Sequence, residues 1–207
     1  MGLFDRIEAA IKAFQNRKFV ILLSESEGEA DLAFPAQEVT AATVLFMARV
    51  ASGLLCLALP QERLRELEIS RLPSKYAVQD TPFYESVDSH QVKTGVSATD
   101  RAATVRKVIN GETKPSDLSR PGHLPLLGAE PLGLLKRNGH TEAVIELCKL
   151  AGLYPAGLLC ELVSDSGDMM NAQELKALAN KFHIPIITVG ALAKFVRSLL
   201  PKRDLDK

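Results

Sequence analysis

Hydrophobic residues recur along the chain in two alternating patterns, one at helical spacing and one in short continuous runs. The first pattern predicts an amphipathic helix at the beginning of the chain, with four apolar residues on one face: Phe4, Ile7, Ile11 and Phe14. The second pattern follows at residues 19–23, where an unbroken apolar run is typical of a buried strand. Because helices and strands intermix in this way to the end of the chain, we expect an α/β or α+β fold in one domain.

Cap residues mark the beginning of several predicted helices. Thr40, Ser97 and Asn171 each stand before a segment with helical spacing, and such residues accept hydrogen bonds from the N–H groups of a first turn. Short apolar runs predict further buried strands at residues 54–59, 157–163 and 184–189. Three segments have no clear period and are expected to be irregular: residues 24–35, 70–95 and 111–131.

The composition is that of a folded protein with balanced charge. Of the 207 residues, 46% are hydrophobic, which is sufficient for a large core, and 25 basic residues match 25 acidic ones. A net charge of zero gives no electrostatic attraction to nucleic acid or to an anionic membrane, so we expect neither as a partner. We expect one domain over residues 1–207, with a core at about 5–195 and a charged tail at 201–207.

The cellular location is inferred from features that exclude other compartments. The longest apolar stretch, residues 39–59, has Arg49 at its centre, which opposes insertion into a membrane. No apolar leader segment opens the chain. The cysteines lie far apart without a CxxC motif, as is typical of unpaired thiols in a reducing compartment: Cys56, Cys148 and Cys160. These features predict a cytoplasmic protein.

The most informative segment runs from Arg137 to Ala143, directly before a predicted helix. The first turn of a helix presents free N–H groups and the positive end of the helix dipole, and both attract anions. Arg137 and Thr141 would add hydrogen bonds to a phosphate, while His140 could bind a metal or move a proton. The alternative is a helix capped by Thr141, with a histidine that has only a structural partner.

A second cluster places acidic residues at every other position after the first predicted strand: Glu25, Glu27, Glu29 and Asp31. If the chain stays extended there, the carboxylates point to one side. Their mutual repulsion would then be relieved by a hard cation, by basic partners or by protonation. The alternative is a solvated acidic loop.

Three shorter motifs add candidate groups. His123 follows Arg120-Pro121-Gly122 and could act as an acid or a base, Glu161 ends an apolar run, and Thr94-Gly95-Val96-Ser97 offers another anion contact before a helix. Two other histidines have no supporting neighbours and are expected to be structural: His90 and His183. Taken together, the candidate groups suit the metal-assisted enolisation of a phosphorylated ketose.

Five motifs in this order resemble those of 3,4-dihydroxy-2-butanone 4-phosphate synthase, an enzyme of riboflavin biosynthesis. The motifs are EGEADL at 27–32, TGVSATDR at 94–101, RPGH at 120–123, RNGHTEA at 137–143 and PAGLLCE at 155–161. The resemblance covers about residues 5–195 and implies the fold of that family, a mixed sheet surrounded by helices in a single α/β (α+β) domain.

The resemblance also implies roles for individual residues. Glu27 and His140 match the family's ligands for Mg²⁺, or for Mn²⁺ in its place. His123 and Glu161 match its two catalytic positions. The residues that match substrate-binding positions are Glu29, Asp31, Cys56, Thr94, Arg137, Asn138, Gly139, His140, Thr141 and Glu161.

For the whole protein, the resemblance implies a lyase that forms homodimers with the active site at the subunit interface. The family acts on D-ribulose 5-phosphate, a small sugar phosphate: it enolises the ketose, removes water, rearranges the carbon skeleton and expels one carbon as formate. Mg²⁺ would polarise the carbonyl and hydroxyl oxygens and stabilise the enediolate.

The acidic loop departs from the family pattern at three positions, one of which is Ser24 in place of an upstream acid. Ser26 stands where the family has arginine, and Gly28 stands where it has asparagine. Serine cannot supply the charge or the paired hydrogen bonds of arginine, and losing a hydrogen bond to a charged group costs about 1.5–3 kcal/mol. Two alternatives to the synthase therefore stay open: a paralogue with the same fold and metal site but another sugar phosphate or product, and a non-catalytic sugar-phosphate-binding protein.

Overall fold

A mixed β-sheet forms the centre of the molecule. The computed structural model describes residues 3–25, 28–74 and 81–200, so Ser26, Glu27 and the predicted tail at 201–207 lie outside the described residues. The strands are β1 Val20–Leu23, β2 Ala30–Pro35, β3 Cys56–Pro60, β4 Phe83–Ser89, β5 Leu118–Ala129, β6 Gly157–Glu161 and β7 Ile186–Thr188. Their order across the sheet is β4-β5-β3-β6-β2-β1-β7, with parallel pairing only between β3 and β5 and between β1 and β7 among the described strands.

Helices cover both faces of the sheet. They are α1 Leu3–Gln15, α2 Ala41–Val50, α3 Gln61–Glu66, α4 Ala98–Ile109, α5 His140–Leu150, α6 Ala172–Phe182 and α7 Val189–Leu199. The helices α1, α5 and α7 pack on one face, and α2, α3, α4 and α6 pack on the other. The expected mixed sheet surrounded by helices is thereby confirmed.

The alternation of side chains along the strands divides the core into two layers. In β6, Leu158 and Cys160 belong to the layer that contains Val105 of α4, whereas Leu159 belongs to the layer that contains Val144 of α5. Because successive strand residues point to opposite faces, an unbroken apolar run is what a sheet covered on both sides requires.

The predicted caps begin their helices as expected. The Thr40 hydroxyl accepts the N–H of Thr43 at 3.1 Å before α2, and the Ser97 hydroxyl accepts the N–H of Asp100 at 3.0 Å before α4. Asn171 caps α6 in the same way. Each cap satisfies a backbone donor that a first helical turn leaves without an intrahelical partner.

The expected acidic loop at 24–35 is wrong in its second half, because residues 30–35 form the buried strand β2. The chain turns back on itself at Gly28, whose φ of 71° is in the left-handed region that glycine adopts without strain. The turn pairs Leu23 with Ala30. Glu25 and Glu29, on either side of the turn, therefore do not lie along one extended strand, as the alternating spacing had suggested.

The irregular segments at 70–95 and 111–131 also contain strands, β4 and β5. The first half of β5 is only partly buried and includes Pro121 and Gly122, whereas its second half is buried, so no single period runs through it. β4 lies at the edge of the sheet, and its pairing with β5 is irregular between Tyr84 and Val87. Edge strands with bulges carry the weakest sequence signal because their burial pattern is broken.

Two expectations about the cysteines and the apolar stretch can be compared with the structure. All three cysteines are buried and unpaired, as the sequence predicted. Within the described ranges, no helix combines the length and the apolar character that are needed to cross a membrane.

A close contact between Gly157 and Val144 brings α5 against the middle of the sheet. A side chain at Gly157 would collide with the branched side chain of Val144, so glycine at the beginning of β6 lets the helix approach. The contact matters beyond packing because the first turn of α5 lines the cleft that contains most of the candidate site residues.

We predict that Gly157→Ala lowers the free energy of unfolding by about 1–3 kcal/mol, the usual cost of overpacking a core. Gly111→Ala is the matched control, because an added methyl group there has no heavy atom within 4 Å and the backbone is outside the left-handed region. Urea denaturation measures both variants. Equal stability of the two variants would contradict the proposed close contact.

Candidate active site

A cleft of about 640 Å³ lies on the face of the sheet that α5 covers, where the end of β6 and the beginnings of β2 and β3 meet the first turn of that helix. Its walls include most of the residues that the sequence singled out: Glu29, Asp31, Cys56, Arg137, Gly139, His140, Thr141 and Glu161. Motifs that are distant in the sequence are therefore brought together by the order of the strands.

Two carboxylates face each other at the base of this cleft. The antiparallel register of β2 and β6 places Asp31 directly opposite Glu161. His140 lies beside them, with its Nδ1 4.0 Å from Oδ2 of Asp31. Like charges on directly opposed residues destabilise a sheet, so this position favours a nearby cation.

The carboxylate of Glu161 is held by the backbone of the loop that precedes β3. The N–H of Leu54 donates a hydrogen bond of 2.7 Å to its Oε2. Gly53 makes room for the carboxylate, because a side chain at that position would overlap it. Glu161 therefore has a defined orientation in the cleft.

Cys56 lies in the cleft as a neutral thiol. It is only 2% exposed, and burial raises its pKa well above the usual range, with further contributions from the negative charges of Glu161 and Asp31. Because the thiolate is the nucleophilic form of cysteine, such a thiol contributes shape and a weak hydrogen-bond donor to the cleft.

The helix α5 begins at His140 and presents its first turn to the cleft. Its N-cap is Gly139, which makes no side-chain cap, and Thr141 lies inside the helix. The alternative of a helix capped by Thr141 is therefore wrong. A first turn without a side-chain cap leaves its backbone N–H groups to a ligand, which is the arrangement that binds phosphate in many proteins.

A buried carboxylate fixes the arginine beside this helix. Nη1 of Arg137 is 2.6 Å from Oε2 of Glu142, whose side chain is fully buried, and Oε1 of Glu142 accepts the N–H of Glu130 at 2.9 Å. Glycine at position 139 leaves room for the guanidinium in this position, because a side chain there would displace it. Arg137 is thus a cation held in a defined position at the wall of the cleft.

A second group of predicted residues lies outside this cleft. His123 on β5 contacts Asp88 on β4, with 2.6 Å between Nδ1 and Oδ2. Thr94 donates to the carboxylate of Asp100 through both its backbone and its hydroxyl. Neither His123 nor Thr94 lines the cleft, and the same is true of Asn138.

The expected metal ligands are described only in part. Glu27 lies outside the described residues, so the structure describes His140 alone of that pair. In the part of the chain that is described, no three histidine, cysteine or acidic side chains are arranged as a ready-made metal site.

Sequence reasoning missed three groups that orient the candidate residues: the N–H of Leu54 and the carboxylates of Asp88 and Glu142. A backbone donor has no sequence signature. Asp88 ends a strand that the pattern did not predict, and Glu142 was noted only as a member of the RNGHTEA motif. Two glycines, Gly53 and Gly139, were the available signals, because each makes room for a functional side chain.

Comparison with known proteins places this chain in a family. The model of the 3,4-dihydroxy-2-butanone 4-phosphate synthase family matches residues 8–195. The chain belongs to this family. Its members are lyases of riboflavin biosynthesis. The family, the fold and the lyase class that were expected from the sequence are therefore confirmed.

Relatives of the synthase family match nearly the whole chain. The 3,4-dihydroxy-2-butanone 4-phosphate synthase of Yersinia pestis (strain Pestoides F) is 40% identical over 96% of this chain and 93% of its own length. The riboflavin biosynthesis protein RibBA of Aquifex aeolicus is 41% identical over 93% of this chain, but the chain spans only 49% of that protein.

Solved structures of synthases have the same fold. RibBX, a two-domain synthase from A. baumannii, has a TM-score of 0.91 and 32% identity, with 94% of this chain and 59% of that chain covered. A synthase in complex with two magnesium ions has a TM-score of 0.88 and 33% identity, with 93% and 97% covered.

We predict that Glu142→Gln lowers the free energy of unfolding by about 1–3 kcal/mol. Two donors, from Arg137 and Glu130, converge on the carboxylate, and a glutamine offers a single acceptor oxygen for them. Glu146→Gln is the matched control, since Glu146 pairs with the exposed Lys149 and pairs that reach solvent contribute about 0–1 kcal/mol. Urea denaturation of both variants is the measurement, and equal losses would contradict a special role for Glu142.

Proposed function

We propose that this protein converts D-ribulose 5-phosphate to 3,4-dihydroxy-2-butanone 4-phosphate and formate with the help of Mg²⁺. One observation carries the proposal: a single cleft joins an opposed carboxylate pair and His140 to the first turn of α5 with its anchored arginine. The first set suits a cation and proton transfer, and the second suits a phosphate. A sugar phosphate that is enolised needs both.

The phosphate end of the substrate would bind at α5. Arg137 and the first-turn residues His140 and Thr141 all line the cleft, and their guanidinium, backbone N–H and hydroxyl groups would be the donors. A charge-assisted hydrogen bond from arginine and several backbone donors form a typical phosphate site. Asn138 would contribute by shaping the turn before the helix, since it does not line the cleft itself.

The sugar end would lie over the carboxylates. Glu27 and His140 would hold the metal, and the opposed carboxylates of Asp31 and Glu161 fit a hard divalent cation because their oxygens suit Mg²⁺ or Mn²⁺. When bound, the cation supplies charge stabilisation for the oxygens of the enediolate. A synthase with this fold is known in complex with two magnesium ions.

Proton transfer is assigned to Glu161 and His123. Glu161 already faces the cleft, and the N–H of Leu54 orients its carboxylate toward the sugar carbons, from which it would remove a proton. Asp31 and Glu29 would accept hydrogen bonds from sugar hydroxyls, and the thiol of Cys56 would border the same carbons.

His123 and Thr94 would come from a second copy of the chain. Both lie outside the cleft of their own chain, yet His123 is four residues before Leu127 on β5 and therefore on the same face of the sheet. Leu54 and Leu72 line the cleft and are 50% and 46% exposed, and Val96 next to Thr94 is 53% exposed. A twofold homodimer would cover these apolar side chains and complete the active site.

The remaining expectations stay predictions. They are the division into a core at 5–195 and a tail, the cytoplasmic location, and the absence of nucleic acid and membrane as partners. The 40% identity over nearly the full length of the Yersinia synthase favours the synthase over a paralogue with another substrate.

Formate release from D-ribulose 5-phosphate tests the proposed function. We expect the wild-type protein to release formate with Mg²⁺, and His123→Ala and Glu161→Gln each to lower the rate by on the order of 10²–10⁴-fold, the usual contribution of an acid or base. His90→Ala is the control because His90 is exposed in a turn. Absence of formate would reject the synthase, and Mg²⁺-dependent consumption of the sugar without formate would favour the paralogue.

Heterodimers of the two inactive variants distinguish a shared site from a site within one chain. If each variant carries a different affinity tag, the mixed dimers can be isolated. If His123 acts across the interface, one site of the mixed dimer has both residues intact and the other has neither, so we expect about half of the wild-type rate. Inactive mixed dimers would contradict a site shared between subunits.

A further inference from the structure

His123 is held at two points by one carboxylate. Its ring Nδ1 lies 2.6 Å from Oδ2 of Asp88, and its backbone N–H donates a hydrogen bond of 3.0 Å to Oδ1 of the same residue. The first contact fixes the ring, and the second fixes the backbone from which the ring projects. Short hydrogen bonds to an ionised acceptor are among the stronger hydrogen bonds in proteins.

The surroundings of Asp88 keep this carboxylate in place. The side chain of Asp88 is 13% exposed, whereas that of His123 is 53% exposed, so the acid is enclosed and the imidazole reaches outward. Gly95 lies directly against the carboxylate, and Gly122 lies against the peptide between Val87 and Asp88. A side chain at either glycine would collide with these atoms.

These contacts bring together two motifs that are separate in the sequence. Gly95 belongs to TGVSATDR and Gly122 belongs to RPGH, and both glycines make room for the same aspartate. Because the carboxylate of Asp88 is enclosed and lies close to both glycines, it cannot readily turn toward another partner. The ring of His123 therefore has one preferred orientation.

We propose that Asp88 is a positioning residue that fixes the tautomer of His123. An ionised carboxylate can only accept hydrogen bonds, so its contact with Nδ1 requires the proton on that nitrogen. Nε2 is then the unprotonated nitrogen, directed away from β4 and available to take a proton from the reacting sugar. The proposal rests on the function proposed above for His123, because Asp88 would act on the reaction only through that ring.

A purely structural role for Asp88 would join β4 to β5 without setting the protonation of the ring. The two roles differ in what Asp88→Asn does. An asparagine can still accept the backbone N–H through its oxygen, but its amide nitrogen then faces Nδ1 and donates to it. The ring would be retained, with its proton moved to Nε2.

Long-range ¹H–¹⁵N spectra of the imidazole nitrogens measure this directly in the intact protein labelled at histidine. The signals of His123 are identified by their loss in His123→Ala. We expect the neutral ring of the wild-type protein to carry its proton on Nδ1 and that of Asp88→Asn to carry it on Nε2. A wild-type ring protonated on Nε2 would overturn the proposal by itself, even if the variant does not fold.

The kinetic test separates positioning from substrate binding. We expect Asp88→Asn to lower kcat for formate release by on the order of 10²-fold or more, with little change in KM, because the phosphate and metal groups are untouched. Asp117→Asn is the matched control, an aspartate that likewise accepts a backbone N–H, here from Lys114 at 3.1 Å, and pairs with a cation at the surface. It should leave kcat unchanged.

The outcomes distinguish failure of this proposal from failure of the proposed function. If the tautomer of His123 or kcat does not change in Asp88→Asn, while His123→Ala is inactive, Asp88 has only a structural role. Full activity of His123→Ala would instead reject the catalytic role of His123, and the spectra would still report whether Asp88 sets its tautomer.

Discussion

The site depends on the opposition of Asp31 and Glu161 across β2 and β6. The antiparallel register of two central strands brings these side chains to one point on one face, so neither can move away without a shift of the register. Directly opposed like charges destabilise a sheet, and a sequence selected only for stability would not place them there. Their surroundings compensate for the repulsion: the N–H of Leu54 binds one carboxylate, and His140 lies beside the other. The arrangement is a polar cradle that favours a cation.

The close packing of α5 on the sheet connects this cradle to the first turn of that helix. Gly157 allows the helix to approach, and Gly139 allows Arg137 to lie between the turn and the carboxylate of Glu142. As a result, the positive end of the helix faces the carboxylates across a cleft of about 640 Å³. The ion pair of Arg137 and Glu142 mainly fixes the position of the guanidinium. It contributes less to stability, because burying a charge is costly and pairing it only offsets that cost.

The sequence predicted those features that follow from local physics. Helical spacing, capping residues such as Thr40 and Asn171, and unbroken apolar runs each reflect interactions within a few residues, and the elements they predict are present. β5 was missed because its burial changes half-way along its length, and β2 was missed because a glycine turn and an acidic composition concealed a fully buried strand. The cleft residues were identified from motifs, but Asp88 and Glu142 could not be, because their roles arise from contacts between elements that only the folded chain brings together.

The proposed binding of a cation at the carboxylate cradle can be measured without the reaction, as the thermal unfolding midpoint with and without Mg²⁺ at equal ionic strength. A ligand at about 100 times its Kd stabilises by about 2.7 kcal/mol, which corresponds to a rise of about 5–10 °C for a domain of this size. We predict such a rise for the wild-type protein and for His90→Ala, and its loss in His140→Ala. A midpoint that does not respond to Mg²⁺ in the wild-type protein, or that rises equally in His140→Ala, would contradict a metal site at this position.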